Sequence, residues 1–327
     1  MPLSAAILGV THWHAPRYVK HLGARGVRVI GASDADAQAG RAAADRLGLA
    51  FAPDTDRALA TFRPDLAVLL PRHDLAAREI GAVAVRGVPM LVEKPMGRNG
   101  DEAAAAAAAV RAAGVFAAVC LPNRHLGIWD AYRALVAEDA LGEVLHAHFR
   151  TINGPPSRYL DYGVPWMLDP AIGGGGALRN LGIHGADAIC MLAGAGEPAV
   201  AGARLSHARS RGAVEDFAAA VVSTPAGFVA TLEAGYTYAN LQEGGDYEWR
   251  IAATGAYLHE CNGRLTVHRR GGRPVETAVP TPHLAYAHMV DAALDAFAAG
   301  HAPPATVDDC VRAVRLQDRI YAAARAA

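Results

Sequence analysis

Three short stretches combine residue types that could carry chemistry. Gly9-Val10-Thr11-His12-Trp13-His14-Ala15 follows a short apolar run, where a strand-turn-helix unit that binds a dinucleotide needs its glycines. The ideal pattern is G-x-G-x-x-G, and here Thr11 and His14 stand at the second and third glycine positions. Ala15 still permits close helix packing, and the helix N-terminus that follows would offer N–H groups to a pyrophosphate. An ordinary strand-to-helix turn is the alternative for this stretch alone. Asp34 ends the next strand, about 20 residues or slightly more beyond, where an acid accepts hydrogen bonds from the adenosine ribose. A carboxylate there repels a 2′-phosphate and no basic residue follows in Asp34-Ala35-Asp36, which predicts NAD over NADP. Asp34 could instead cap a helix, although Asp36 can serve that purpose. Glu93-Lys94-Pro95 follows the apolar run Met90–Val92, and Lys94 is one of only two lysines. A Lys between a strand end and a Pro is expected in an extended, exposed turn. His12 and His14 could suggest a metal, but no third ligand is evident, so pocket-lining histidines and no metal site are expected.

The elements around these residues alternate. Ala5–Val10, Val27–Ala32, Leu66–Leu70, Met90–Val92 and Val115–Cys120 read as strands. Between them Pro16–Arg25, Ala35–Leu47, Ala58–Phe62, Leu75–Arg86 and Asp101–Ala113 read as helices. Such alternation means a parallel sheet covered by helices on both faces, a Rossmann-like α/β domain over residues 1–122. Ligands of such sheets bind at the carboxyl ends of the strands, where Gly9, Asp34, Pro71-Arg72 and Glu93-Lys94 all fall.

After residue 122 the pattern changes. A helix over Asp130–Glu138 precedes a long strand, Glu143–Ile152, and a Gly- and Pro-rich loop, Asn153–Pro170. Gly173–Gly176 opens a helix running to about Leu192. Strands are expected over Ala199–Ser210, Glu215–Thr224, Phe228–Tyr238, Tyr247–Thr254 and Leu265–Arg269, then helices over His283–Ala299 and Thr306–Ala324. Residues 123–327 thus read as an α+β domain with a mostly antiparallel sheet.

Composition excludes several partner classes. The formal net charge is -1 over 327 residues, so no basic field recruits nucleic acid or an anionic membrane. The Ala-rich stretch 103–109 is too short and too mildly apolar to span a bilayer. The sequence enters a strand pattern at once, with no basic segment ahead of it, and a soluble cytoplasmic protein is expected. Cys120, Cys190, Cys261 and Cys310 are far apart and form no CxxC pair, and they read as small buried hydrophobes.

Glu93-Lys94-Pro95-Met96-Gly97 resembles the EKP signature of the Gfo/Idh/MocA oxidoreductases, a family named for glucose–fructose oxidoreductase, inositol dehydrogenase and a rhizopine-catabolism protein. A second block supports it: Trp166-Met167-Leu168-Asp169-Pro170, Gly173 to Leu178, and Gly182-Ile183-His184 with Asp187. Asn123-Arg124 is a third, weaker block. The resemblance runs over essentially the whole chain. It implies that Lys94 lies beside the nicotinamide and hydrogen-bonds the reacting oxygen, and that His184 is the general acid/base. It also implies cofactor contacts from Gly9, Thr11, His12, Trp13, His14, Asp34, Pro71, Arg72 and Glu93. The implied substrate contacts are Asn180, Arg124, Asp187, Trp166 and Tyr162, with a structural role the alternative for Asp187 and simple packing the alternative for Trp166 and Tyr162.

The chemistry suits the residue types. A His titrates near neutrality and can take and return a hydroxyl proton. A Lys ammonium stabilises a developing alkoxide, while the cofactor carries the hydride. The chain departs from the family in two places. Asn180 stands where an Asp is usual, and Pro71-Arg72-His73-Asp74-Leu75 replaces P-N-x-x-H. An Asn cannot supply charge to His184, and Arg72 could contact cofactor or an acidic substrate group. The resemblance implies an NAD-dependent dehydrogenase or reductase acting on a sugar, cyclitol or related keto derivative, in a homodimer or homotetramer. A redox-neutral enzyme that withdraws and returns a hydride is the first alternative. A non-catalytic dinucleotide and sugar sensor is the second.

Overall fold

The computed structural model describes residues 2–208, 212–239 and 245–326. The chain forms two compact units, each assembled from separate stretches. The first takes the chain up to Leu121, then Tyr159–Gly174 and Tyr286–Val311. The second takes Pro122–Arg158, Gly175–Ala285 and the chain from Arg312 on.

The first unit is built on six strands: β1 (Ser4–Leu8), β2 (Arg28–Ser33), β3 (Phe51–Ala52), β4 (Leu66–Leu69), β5 (Met90–Glu93) and β6 (Ala117–Cys120). They pair in parallel in the order β3-β2-β1-β4-β5-β6. Every residue of β1, β4, β5 and β6 is buried, as strands covered on both faces must be. The strand order reverses between β1 and β4, and that switch point is where such sheets bind ligands. The helices start on local signals. Asp36 caps Ala37–Arg46, Asp54 caps Thr55–Phe62 and Asn99 caps Gly100–Ala113, each accepting backbone N–H bonds. The core groups Ile7, Val10, Tyr18, Leu22, Leu66 and Val68 with Tyr286, Met289, Val290 and Leu294. The last four come from the helix Pro282–Ala299, so a late stretch of the chain completes the core of the first unit.

The second unit holds an eight-stranded sheet: β7 (Val144–Ile152), β8 (Ala199–Ser206), β9 (Phe217–Ser223), β10 (Val229–Gly235), β11 (Asp246–Ala253), β12 (Ala256–Cys261), β13 (Arg264–Arg269) and β14 (Val275–Ala278). Its order is β14-β13-β12-β11-β7-β10-β9-β8, antiparallel except for the parallel pair β7 and β10. Phe149, Trp249 and Trp129 stack edge to face in its core, with ring centroids 4.8 and 6.2 Å apart. The helix Ile183–Leu192 lies close on the sheet because Gly185 faces it. A Cβ there would sit 3.1 Å from Phe149 and from Leu232.

The α/β and mostly antiparallel α+β architectures match the expectation. Three strands lie outside it. β3 has two residues, β12 follows β11 after only Thr254-Gly255, and β14 is exposed throughout, so none carries a distinctive apolar pattern. The expected loop 153–170 contains the short helix Arg158–Asp161 and a 3-10 turn at Pro165–Leu168. The strand expected over Ala199–Ser210 ends at Ser206, and Arg209 and Ser210 lie outside the described residues.

Candidate active site

Gly9 leaves β1 at the switch point with φ +95°, and only a glycine fits there. A Cβ would lie 2.2 Å from the Leu70 carbonyl oxygen, just past the end of β4. The N–H groups of Gly9 and Val10 both bond the Ser33 carbonyl at 2.8 and 3.1 Å, which ties this turn to the end of β2. Thr11, in place of a second glycine, faces Asp34. Its N–H and its hydroxyl both donate to Asp34 Oδ2, at 2.8 and 2.7 Å.

A shallow cleft opens at these strand ends. Gly9, Thr11, His12, Asp34, Pro71 and Arg72 line it, and Trp166 closes one side. A Cβ-free turn beside an acid at the ribose position fits a dinucleotide. The helix Ala15–Ala24 starts with no side-chain cap. The expectation of free N–H groups at that end is corrected in part. The N–H groups of Ala15 and Arg17 bond the carbonyls of His12 and His14, and Pro16 has none. The end presents its dipole to a phosphate more than open donors.

Glu93 is the hub of a buried polar cluster. Its Oε1 faces His14 Nδ1 at 2.8 Å and accepts from the hydroxyls of Tyr18 at 3.2 Å and Tyr286 at 3.4 Å. Its Oε2 accepts the Lys94 N–H at 3.1 Å. Burial holds both phenols well above their ordinary pKa, so they stay donors. Glu93 thus anchors the strand end that bears Lys94. The peptide bond between Lys94 and Pro95 is cis. Lys94 is 6% exposed, which corrects the expectation of an exposed turn. Burial lowers the pKa of its ammonium, and the Glu93 charge opposes that effect.

His12 stacks on Trp13 with ring centroids 3.8 Å apart, and its Nδ1 accepts the His14 N–H at 3.2 Å. Burial, and then the neighbouring His14, lower the His12 pKa well below its ordinary value. Tyr162 lies parallel to Trp13 at 6.4 Å, and Trp166 packs edge-on to His73 at 5.1 Å. The segment Tyr159–Gly174 therefore brings Trp166 and Tyr162 to the dinucleotide turn, within the first unit. Arg72 gives its guanidinium to Asp74 in two bonds of 3.1 and 2.7 Å.

The second unit carries His184, Asn180, Arg124 and Asp187. His184 opens the helix Ile183–Leu192 and is buried. Asn180 lies one turn earlier, in a π-helical turn over Leu178–Gly182, and its amide donates to the Tyr236 hydroxyl at 3.0 Å. Asp187 lies one turn later and binds Arg124 through both oxygens, at 2.8 and 2.6 Å. The glycine run opens the helical stretch as expected: it starts at Ala177, passes through the π-helical turn and ends at Leu192. Gly175 has φ +147°, and a Cβ on it would meet the Tyr321 hydroxyl at 2.1 Å.

Several supporting residues carry no mark in the sequence. The Glu215 carboxylate accepts the N–H groups of Gly176 at 3.0 Å and Leu178 at 2.9 Å, and the Tyr321 hydroxyl at 2.7 Å. It thereby caps the segment that leads to His184 and complements its dipole. Arg179, buried beside it, pairs with Asp318 and donates to Gln317 Oε1 at 3.0 Å. No local motif signals these partners, because they lie far along the chain.

A Rossmann sheet with a glycine turn and an acid at the end of its second strand, joined in one chain to an α+β unit, defines the class of two-unit proteins built on a dinucleotide-binding fold. Residues 3–120 match the family described as "Oxidoreductase family, NAD-binding Rossmann fold", and residues 129–259 match the "GFO/IDH/MocA C-terminal domain". The chain belongs to the Gfo/Idh/MocA oxidoreductase family, and its first unit is an NAD-binding Rossmann domain.

Curated relatives include a 1,5-anhydro-D-fructose reductase from Ensifer adhaerens, 29% identical over 225 residues, or 66% of this chain and 60% of that one. An oxidoreductase-subunit sequence from Amycolatopsis mediterranei (strain S699) is 32% identical over 170 residues, 51% of this chain and 44% of that one. The matches thus span less than two thirds of either relative. Among solved structures, a levoglucosan dehydrogenase in complex with NADH and levoglucosan has a TM-score of 0.86 at 18% identity, covering 100% of this chain and 98% of that one. An aldose-aldose oxidoreductase from Caulobacter crescentus complexed with glycerol has a TM-score of 0.82 at 22% identity, covering 100% and 98%. Both likenesses show the fold. Among the described residues, no helix is long and apolar enough to cross a membrane.

Proposed function

We propose that this protein is an NAD-dependent dehydrogenase or reductase acting on a CH–OH group of a sugar, cyclitol or related derivative. The observation that carries the reading is the switch-point cleft: Gly9 without room for a Cβ, Asp34 fixed beside it, and Lys94 buried at the end of β5. The relatives' names, a reductase and a dehydrogenase of sugar derivatives, agree with it.

When bound, NAD supplies the hydride acceptor. The chain's residues do the rest. His184 takes the proton from the substrate hydroxyl, and returns it in the reverse direction. The Lys94 ammonium offsets the negative charge that grows on the same oxygen, and its burial strengthens that interaction. Asp34 favours NAD over NADP, because a 2′-phosphate would approach a carboxylate. Trp166 and Tyr162 offer ring faces to the sugar or to the cofactor, and Asn180, Arg124 and Asp187 shape the surroundings of His184. Homo-oligomerisation and a cytoplasmic location belong to the same proposal.

A panel of polyols and keto-sugars, assayed by nicotinamide absorbance with NAD⁺ or NADH, tests it. Turnover with at least one class, dependent on NAD, is expected. NADH that stays bound and is never released as product would favour the redox-neutral variant of the chemistry, and no turnover at all would overturn the reading.

A further inference from the structure

We infer that Thr11 sets the cofactor preference by holding the Asp34 carboxylate so that it has one acceptor site left for the adenosine ribose. The inference rests on the dinucleotide reading above and extends it to a residue that departs from the glycine fingerprint.

In the ideal fingerprint the second glycine lets the pyrophosphate come close. A threonine adds a Cβ, a methyl and a hydroxyl at that point, which crowd the approach. Its hydroxyl has a specific use here. Both Thr11 donors, N–H at 2.8 Å and O–H at 2.7 Å, converge on Asp34 Oδ2. A glycine could supply only the first. The Asp36 N–H donates to Oδ1 at 3.0 Å. A carboxylate has about four lone-pair sites. Both sites of Oδ2 are used and one site of Oδ1 remains, which suits a single ribose hydroxyl.

The carboxylate has little room to turn away. Asp34 is 8% exposed, and the helix Ala37–Arg46 presses on it through Gly40, where a Cβ would lie 2.4 Å from the Asp34 Cβ. A 2′-phosphate therefore meets a negative group held in place by the Thr11 and Asp36 bonds, on a side chain whose base is packed. Among the described residues lining the cleft, Arg72 is the only arginine or lysine, and Asp74 holds its guanidinium. With the Thr11 hydroxyl removed, Oδ2 gains a free site and the carboxylate a degree of freedom, so both the ribose contact and the repulsion weaken. One hydrogen bond to a charged group is at stake, so a change of about 10-fold is the scale to expect.

The test is a fluorescence titration of NADH and NADPH against the wild type and Thr11→Val, Thr11→Ser and Thr11→Gly. The wild type should bind NADH more tightly than NADPH. Thr11→Val should narrow the NADH-to-NADPH ratio about 10-fold, and Thr11→Ser, which keeps the hydroxyl, should hold it. Thr11→Gly brings the sequence closer to the ideal fingerprint, yet it too should narrow the ratio. Thermal melts check folding, and if Thr11→Val does not fold, the Ser and Gly variants decide the matter. A wild-type ratio in the Val and Gly variants would overturn the role of Thr11. A wild type that binds neither nucleotide is a different result, which removes the dinucleotide reading itself.

Discussion

Asp187 grips Arg124 through both carboxylate oxygens, at 2.8 and 2.6 Å, one turn beyond His184 on the same helix. Asp187 is almost fully buried and Arg124 mostly so, and the pair fixes the position of that helix turn. Removing one partner takes two charge-assisted bonds from the other, at a cost of about 2–4 kcal/mol. Asp187→Ala should therefore lower stability by roughly that amount in denaturant unfolding. The double variant Asp187→Leu with Arg124→Met should recover part of the loss, because it removes both charges together. Equal stability of Asp187→Ala and wild type would show the pair to be solvated.

Gly9→Ala should be among the most damaging single changes in the first unit. The added Cβ meets the Leu70 carbonyl at 2.2 Å, and the backbone there has a φ that side chains other than glycine's rarely adopt. NADH binding should fall at least about 100-fold, or the unit should melt well below the wild type, with several kcal/mol involved. Titration of NADH together with a thermal melt separates the two.

Asp74→Ala should release Arg72 from its two bonds at the edge of the cleft. A freed guanidinium near Asp34 would offset part of the repulsion felt by a 2′-phosphate. NADPH should then bind about 3–10-fold more tightly, with NADH little changed. The NADPH titration is the check, and the gain should shrink at high salt.

Glu260 makes stability depend on pH. Burial pushes its carboxyl from an ordinary 4.5 up to about 7, against the Ile128 N–H bond, which favours the charged form. The sign follows from proton uptake. Between about 4.5 and 7 the folded chain holds a proton that the unfolded chain has released, so stability falls as pH rises through that window. Below it the group adds no pH dependence, and above it the full cost is present. Glu260→Gln keeps an oxygen for the Ile128 N–H and has no charge to bury. It should be more stable than wild type at pH 8, by an amount on the order of 1–3 kcal/mol, and equal near pH 4. Melting curves across that range test it.

The first unit is legible in the sequence because its signals are local. The apolar runs of β4, β5 and β6 are buried at every position, and Asp36 and Asn99 cap helices as short polar residues do. Gly9, Asp34 and Lys94 can be placed because each sits next to a strand end. What stays hidden depends on partners distant in sequence. Glu215 reaches Gly176 across 39 residues, and Tyr286 reaches Glu93 across 193. No periodicity records such contacts. Local rules put Lys94 in the open for the same reason, since its burial is a matter of tertiary packing that no local signal records. The glycine run is legible too, since Gly175 has a φ no helix allows and the helical run begins two residues on, at Ala177.

The proposed mechanism stands or falls on the catalytic roles of Lys94 and His184. Steady-state turnover of Lys94→Met and His184→Asn, on a substrate found in the panel and with NADH affinity measured in parallel, decides it. Each variant should bind NADH within a few-fold of wild type and lose at least about 100-fold in kcat, and the double variant should lose little more than the worse single one. Turnover near the wild-type rate in either single variant, with NADH bound, would refute the mechanism.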